Sequence, residues 1–335
     1  MKANSLSKIL RKHETLIFII LICVWVILSL INKNYATTNN LCAILKTMSF
    51  YGIIAVGLSF VIISGDSDIS TGASAGFGAV FGTAVMLETR CFGMMDTPTE
   101  WLGIILCTMV AMAFGLLVGF GNATMVVKLN MPPFIATCAM QYVLNGLKMV
   151  ITSGAYVYPL PKSLVSFMRL SVPLGKGKLS IIFFVFIFIL GIALFIQNYT
   201  TTGRNVYAIG SNRIMASLSG LKTNRIRYRN YMVLHALAAM VGVLNAGYVK
   251  QGATNIGQDW HLTIMATCAI GGIKFSGGSG NMIGLLIGTF TLFSINNAIA
   301  YIGINTFLQD VVIGFILLVV VVSDSIRTNR KIRLA

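Results

Sequence analysis

Apolar runs of about twenty residues alternate with short polar segments along nearly the whole chain. A helix rises about 1.5 Å per residue, so about 20 apolar residues are needed to cross a bilayer. We predict ten membrane-spanning helices, over residues 14–32, 42–63, 69–87, 101–121, 132–151, 179–197, 230–248, 260–273, 281–301 and 306–323. The eighth is short for a full crossing and ends at a glycine-rich turn, which indicates a broken helix.

Two glycine-rich segments in different halves of the chain have nearly the same pattern. Gly65–Gly72 and Gly271–Gly278 both contain Gly, two variable residues, a charge, an apolar residue, Ser, a variable residue and Gly. The same offset pairs Gly78 with Gly284, in spans where small residues four positions apart favour close helix packing. We predict two structural repeats, each with a turn between membrane helices, as in many transporters.

Composition places most of the chain in lipid, because 56% of the residues are hydrophobic and only 10% are charged. A soluble domain carries about 25% charged residues. The net charge of +16 would suggest nucleic acid for a soluble protein. Here the basic residues sit in short loops, where they set membrane orientation. We therefore expect membrane lipid, and no nucleic acid, among the partners.

The distribution of Lys and Arg predicts that both termini are cytoplasmic. The arm 1–13, the loop 198–229 and the tail 324–335 are basic, and ten spans place them on one side, which the positive charge makes the inner one. The loop 152–178 is basic on the predicted outer side; we interpret it as a structured extracytoplasmic connection, with a miscounted span as the alternative. The first apolar run lacks a small-x-small cleavage site, which indicates an uncleaved span. Residues 1–335 form a single transmembrane domain in this interpretation.

The sequence shows no catalytic constellation. The six cysteines lack Cys-x-x-Cys or Cys/His spacing, so no metal site or disulfide framework is expected. The run Gly277–Gly280 lacks the Lys-Ser/Thr pair that would reach phosphates and magnesium. His13, His235 and His261 are isolated, and a lone His near the end of a span is more often a satisfied interfacial residue than a proton relay. We expect a non-enzymatic chain that binds no cofactor of its own.

Asp66 and Asp68 are the acids most suggestive of function, because a charge between two spans is costly unless paired or wetted. They fit a cation or proton site, a cargo path, or a cytoplasmic turn in which Ser70 caps the next helix; we favour the turn. Lys274 matches Asp68 in the second repeat, so we hypothesise that the two neutralise one another or face equivalent polar environments. The candidates for the path or the turns are Asp66, Asp68, Ser70, Asn122, Phe134, Lys274 and Ser276.

The loop 198–229 contains a predicted short amphipathic helix. Ser211 or Asn212 can cap it, and Gly220 can end it in a left-handed turn. Its apolar face consists of Ile214, Met215 and Leu218. An apolar face in water needs a partner, and spacing alone leaves the lipid interface and a groove on another protein equally open.

These motifs resemble those of the permease subunits of ribose-type ABC sugar importers. The family's Gly-Gly-Ile-Asp-Leu-Ser-x-Gly is similar to Gly65–Gly72, and its Pro-x-Phe-Ile element to Pro132–Ile135. Its loop signature, Gly-Arg-Asn-x-Tyr-Ala-x-Gly-x-Asn followed by Ala-x-x-Ser-Gly, matches residues 203–220. Its late signature, Gly-Gly-x-x-x-x-Gly-Gly-x-Gly, matches Gly271–Gly280. The chain departs from the family at Asp66-Ser67, where Gly-Ile is usual, and after Asn122, where Gly is common.

The resemblance implies a division of labour among subunits. This chain would be an inner-membrane permease of the many-helix cobalamin-importer type. It would form, with a second permease as a homodimer or heterodimer, the path for a monosaccharide or similar small polar solute. An ABC ATP-binding subunit carrying ATP and Mg would dock on the cytoplasmic side, and a periplasmic or lipid-anchored solute-binding protein would deliver cargo.

The resemblance also assigns the loop signature to coupling with the ATP-binding subunit. The residues implied are Gly203, Arg204, Asn205, Gly210, Asn212, Arg213, Ala216, Ser219 and Gly220.

The alternative function is an ion-gradient-driven secondary carrier, for which Asp66, Asp68 and Asp310 are the candidate acids. Tyr156, Tyr158 and Trp260 fit contacts with a sugar, although aromatics at span edges are more often interface anchors.

Overall fold

A computed structural model describes residues 13–31, 35–301, 308–315, 318–319 and 322. Most of the predicted basic arm and the whole of the tail 324–335 lie outside the described residues. The helices are α1 (His13–Ile31), α2 (Thr38–Ile63), α3 (Thr71–Glu88), α4 (Glu100–Ala123), α5 (Pro133–Thr152), α6 (Lys162–Arg169), α7 (Ile181–Tyr199), α8 (Thr201–Ser211), α9 (Arg213–Leu218), α10 (Thr223–Val249), α11 (Trp260–Ile270) and α12 (Met282–Tyr301). A π-helical turn, Thr124–Lys128, extends α4.

The chain is an all-α membrane protein in its main architecture. Among the described residues, helices occupy nine of the ten predicted spans, and part of the tenth is helical at 308–315. Within the described ranges, six helical segments are long and apolar enough to cross a membrane: α2, α4 with its π-helical turn, α5, α7, α10 and α12. The eighth predicted span is the eleven-residue α11, which confirms the expectation of a short helix before the second glycine-rich turn.

The seventh span begins earlier than predicted, and this correction matters for the site. α10 starts at Thr223 instead of 230, because three arginines that we placed in a loop continue the helix. The loop predicted at 198–229 is therefore shorter, since α7 also extends to Tyr199. Arg227 consequently belongs to a membrane helix and is 5% exposed.

The connection between α5 and α7 is structured, as predicted, but it is not wholly helical. After α6, strands β1 (Ser171–Leu174) and β2 (Gly177–Ser180) form an antiparallel hairpin. Gly175 supplies the turn with φ +61°, a backbone conformation that favours glycine. Pro173 and the polar residues near it are not typical of strands, so the sequence did not predict β1 and β2. The hairpin lies against the start of α2, where Gly177 approaches the backbone of Thr38.

The helices pack closely around α2 and α10 through small residues. A Cβ on Gly242 of α10 would lie 1.9 Å from the carbonyl oxygen of Ala75 on α3. A Cβ on Gly78 of α3 would lie 2.5 Å from the Cα of Ala239 on α10. These approaches are possible only without a side chain, and they confirm the close packing predicted around Gly78.

Candidate functional site at the converging turns

The two glycine-rich turns meet each other and the end of α8. The Gly278 amide donates a hydrogen bond to the Ile63 carbonyl at 2.9 Å. A Cβ on Gly210 would lie 1.8 Å from that carbonyl oxygen and 2.5 Å from the Gly278 nitrogen. A Cβ on Gly277 would lie 2.9 Å from the Cα of Gly65. Three segments distant in sequence thus form one backbone layer, which we call the glycine layer (residues 63–65, 210 and 277–278).

Asp66 is buried beside the glycine layer between two arginines. Arg227 of α10 donates to both carboxylate oxygens, at 2.7 Å from Nε and 2.8 Å from Nη2. Arg213 of α9 donates to Oδ1 at 3.0 Å and to the Gly65 carbonyl at 3.3 Å. Bidentate charge-assisted bonds are among the strongest and most directional polar contacts. The acid that departs from the resembled family pattern therefore joins the short helix α9 to the membrane helix α10.

Asp68 is the centre of a second buried network. Its Oδ1 accepts from the backbone amide and the hydroxyl of Ser70, both at 2.7 Å. Its Oδ2 accepts from Asn122 Nδ2 at 2.9 Å and lies 2.9 Å from His235 Nε2. Ser74 Oγ contacts the other ring nitrogen of His235 at 2.6 Å. A proton on Nε2 lets the ring donate to Asp68, and Nδ1 then accepts from the Ser74 hydroxyl.

These contacts correct three expectations from the sequence. Lys274 is not a partner of Asp68, and no salt bridge joins the two within the described part of the chain. Ser70 occupies the N-cap position of α3, but its side chain makes no capping bond, because the hydroxyl donates to Asp68. His235 lies in the interior of α10, fully buried, and not at a span end.

The short helix α9 has the caps and the apolar face expected from its sequence. Asn212 Oδ1 accepts from the Met215 amide at 3.0 Å, and Gly220 has φ +82°. Ile214, Met215 and Leu218 are 73%, 57% and 76% exposed. We call these three side chains the α9 face.

The other residues of the loop signature divide into inward and outward groups. Gly203 is buried where α8 turns against the end of α7. Ala216 is the buried residue of α9. Arg204 and Ser219 are exposed, and Asn205 is half-buried. Outside this loop, Phe134 and Ser276 are exposed and Lys274 is half-buried, so the structure does not bring them into either carboxylate network.

A third polar cluster was not foreseen in the sequence. Tyr207 of α8 donates to the Gly280 carbonyl at 2.6 Å and is hydrogen-bonded to Gln197 of α7. Gln197 Oε1 accepts from the Met282 amide at 3.1 Å. Burial raises the pKa of Tyr207, so its hydroxyl stays protonated and able to donate. The cluster attaches α8 to the second glycine-rich turn. In the sequence, only the Tyr of the loop signature pointed to this cluster.

Among the cavities formed by the described residues, two that lie away from the converging turns have polar linings suited to a solute. The first, about 430 Å³, contains a ring cluster in which Tyr51 lies 4.6 Å from Trp260 and 4.8 Å from Phe293 between centroids. The amides of Asn296 and Asn297 also line it. The second, about 480 Å³, lies between α5 and residues 254–259. Of the three aromatics considered for cargo, Trp260 lines the first cavity, whereas Tyr156 and Tyr158 line neither cavity and are 56% and 70% exposed.

Comparison with known proteins identifies the family. The model of the branched-chain amino acid transport system permease component matches residues 40–321. The chain belongs to this permease family. It is a transport subunit, and the family's ATPase is a separate subunit. The expected resemblance to ribose-type importer permeases is thereby confirmed.

Curated relatives of this permease align over nearly its whole length. The galactose/methyl galactoside import permease protein of Escherichia coli K12 is 28% identical over 98% of both chains. The ribose import permease protein of the same organism is 28% identical over 89% of both chains. The autoinducer 2 import system permease protein of Photorhabdus luminescens is 27% identical over 95% of this chain and 92% of its own. No solved structure matches the permease.

We expect Asp68→Asn to lower the free energy of unfolding of the permease by about 2 kcal/mol, because an amide NH₂ would replace an acceptor that faces only donors. Thermal melting of the detergent-solubilised protein measures the loss. Asp310→Asn, at an exposed position lining the first cavity, is the matched control and should melt with the parent. Equal melting of both variants would contradict the network, and unchanged transport by Asp68→Asn would exclude a charge-dependent role of Asp68 in the cargo path.

Proposed function

We propose that this permease is the membrane subunit of an ATP-driven importer for a monosaccharide or similar small polar solute. It works with a second permease subunit, an ABC ATP-binding subunit that carries ATP and Mg, and a periplasmic or lipid-anchored solute-binding protein. It spans the inner membrane with about ten helices, in the cobalamin-importer arrangement, with both termini cytoplasmic. The galactose and ribose relatives support sugar as the cargo class.

The observation that carries the proposal is the attachment of the α9 face to the membrane helices. Large exposed apolar side chains grouped on one face favour a protein or membrane partner. α9 is held by Arg213 to Asp66, and Asp66 is held by Arg227 to α10. A displacement of α9 by a docked ATPase therefore reaches a transmembrane helix through one shared carboxylate.

The glycine layer supplies a second mechanical connection. α8 precedes α9 directly, and its Gly210 touches both glycine-rich turns without an intervening side chain. Tyr207 bonds the same helix to Gly280. Closely packed backbone transmits displacement instead of absorbing it. We infer that α8 and α9 act as the coupling element, with Arg204 and the α9 face as the surface that meets the ATP-binding subunit.

We expect Leu218→Asp to weaken binding of the ATP-binding subunit about 30-fold, the scale of an interface hot spot worth about 2 kcal/mol. Leu218 is exposed, so the permease itself should fold normally. Titration of the purified permease with its ATP-binding subunit, followed by ATPase assays in proteoliposomes, measures the effect. Leu174→Asp, on the hairpin, is the matched control and should leave binding unchanged.

Equal binding by the Leu218→Asp and Leu174→Asp variants would contradict the assignment of α9. If Leu218→Asp instead left ATPase binding intact and detached α9 alone from the lipid surface, α9 would be a membrane-surface helix. Ala216 is the buried residue of α9. A bulky replacement there is expected to displace α9 and to uncouple ATPase activity without removing any side chain from the α9 face.

A further inference from the structure

Lys148 is a buried cation without a protein partner in the described part of the chain. It lies near the end of α5 and is 4% exposed, and no hydrogen bond or salt bridge to its ammonium group is found there. Lys46, by comparison, is bonded to the Tyr248 hydroxyl at 2.6 Å, and Arg227 is paired with Asp66. An ammonium group in a membrane span is costly unless it is paired or faces water, and such residues mark solute or ion pathways.

Lys148 lines the second cavity. The cavity measures about 480 Å³, within the range of small-molecule sites. Four carboxamide side chains line it: Gln141, Asn145, Asn255 and Gln258. Carboxamides both donate hydrogen bonds to hydroxyl groups and accept them. A buried lysine on a wall rich in carboxamides matches a solute with an anionic group on a hydroxylated body.

Asp259 is the acid that also lines this cavity, and it does not cancel the charge. It is exposed, so water screens it, and no salt bridge within 4.0 Å joins it to Lys148. Lys148 is therefore the buried charge on this cavity wall, and Asp259 is the exposed one. The cavity also lies along α5, the least buried of the six long spans at 22%, where a second permease subunit has room to pack.

We propose that this cavity is a solute site on the import path and that Lys148 makes it prefer solutes bearing a carboxylate or another single anionic group. The proposal rests on the importer function. It goes beyond that function by assigning the charge of the cargo and the residue that selects it. Galactose and ribose, the cargo of the named relatives, are neutral, so the proposal separates this permease from them.

The potential in the cavity is measured by cysteine chemistry on the full chain. The Asn145→Cys variant carries a cysteine on the cavity wall and is labelled with an anionic and, separately, a cationic methanethiosulfonate reagent. The labelling rate of the unsubstituted chain, which comes from its native cysteines, is subtracted from each. We expect the anionic-to-cationic rate ratio to fall about tenfold when Lys148→Met is added. Lys148→Arg should keep the ratio. Lys46→Met, which removes a cation outside this cavity, is the matched control and should also keep it.

Solute preference is measured by protection of the same cysteine. D-galacturonate and D-galactose differ in a carboxylate against a hydroxymethyl group. We expect galacturonate to slow the labelling of Asn145→Cys at about tenfold lower concentration than galactose, and the difference to disappear with Lys148→Met. Equal protection by both sugars, or a rate ratio unaffected by Lys148→Met, overturns the proposal.

Neither measurement needs an ATPase. If the two cysteine measurements fail and Leu218→Asp weakens ATPase binding as expected, the anionic solute is rejected and the importer function stands. The reverse combination would reject the coupling surface and leave the solute site intact.

Discussion

Replacing Asp66 by Asn is expected to cost the permease about 3–5 kcal/mol of stability, the usual loss when one partner of a buried ion pair is removed. The amide would point a donor at Arg227, which is 5% exposed and donates both of its charge-assisted bonds to this carboxylate. Arg213 would lose its carboxylate contact as well. Denaturant titration of the detergent-solubilised protein, followed by tryptophan fluorescence, measures the change.

The matched control is Asp96→Asn, because Asp96 meets Lys162 at 4.0 Å and both side chains are largely exposed. Such a pair contributes less than about 1 kcal/mol, so this variant should unfold with the parent. Adding Arg227→Met to Asp66→Asn removes the stranded charge and should recover part of the loss. Equal stability of the Asp66 and Asp96 variants would show that the buried pair does not hold α10 to the turn.

Gly210→Ala is expected to destabilise the permease by about 3 kcal/mol, the upper range for overpacking. The new methyl group would overlap the Ile63 carbonyl, 1.8 Å away, and the Gly278 nitrogen, 2.5 Å away. Both obstacles are backbone atoms, so no rotamer change relieves the overlap. α8 must then shift away from the turns, and we expect the stimulated ATPase activity to fall together with the melting temperature.

Gly146→Ala is the matched control for this prediction. Gly146 lies inside α5, and a Cβ there meets no atom within 4 Å. Alanine in a helix is favoured over glycine by about 1 kcal/mol, so the control should match or exceed the parent in stability. If Gly210→Ala behaves like Gly146→Ala in both assays, the close contact of the glycine layer has no mechanical role.

The helices were predictable because lipid imposes a strong pattern on sequence. An apolar run long enough to cross a bilayer has few alternatives to a helix, and the short α11 could be recognised from its length and the glycines after it. The start of α10 was not, since Arg225 and Arg227 resemble a basic loop. A hydropathy pattern contains no information on long-range pairing, so it does not show that the buried Asp66 neutralises Arg227.

The candidate site was predictable in its local chemistry but not in its pairing. The cap of α9 and its left-handed end depend on residues a few positions apart, and both were correct. Asp68 and His235 are separated by 167 positions, so a sequence repeat suggested Lys274 as the partner instead. A repeat in the sequence pairs equivalent positions along the chain; it does not determine which side chains meet in the folded structure.

The long separations within the glycine layer set an order on the assembly of the chain during synthesis. Asp66 emerges from the ribosome 161 residues before Arg227, which at 5–20 residues per second is a delay of about 8–30 seconds. Gly278, which closes the layer on Ile63, follows later still. Asp66 therefore has neither of its arginine partners until the second half has been synthesised. The N-terminal half consequently completes neither the glycine layer nor the ion pairs of Asp66 by itself.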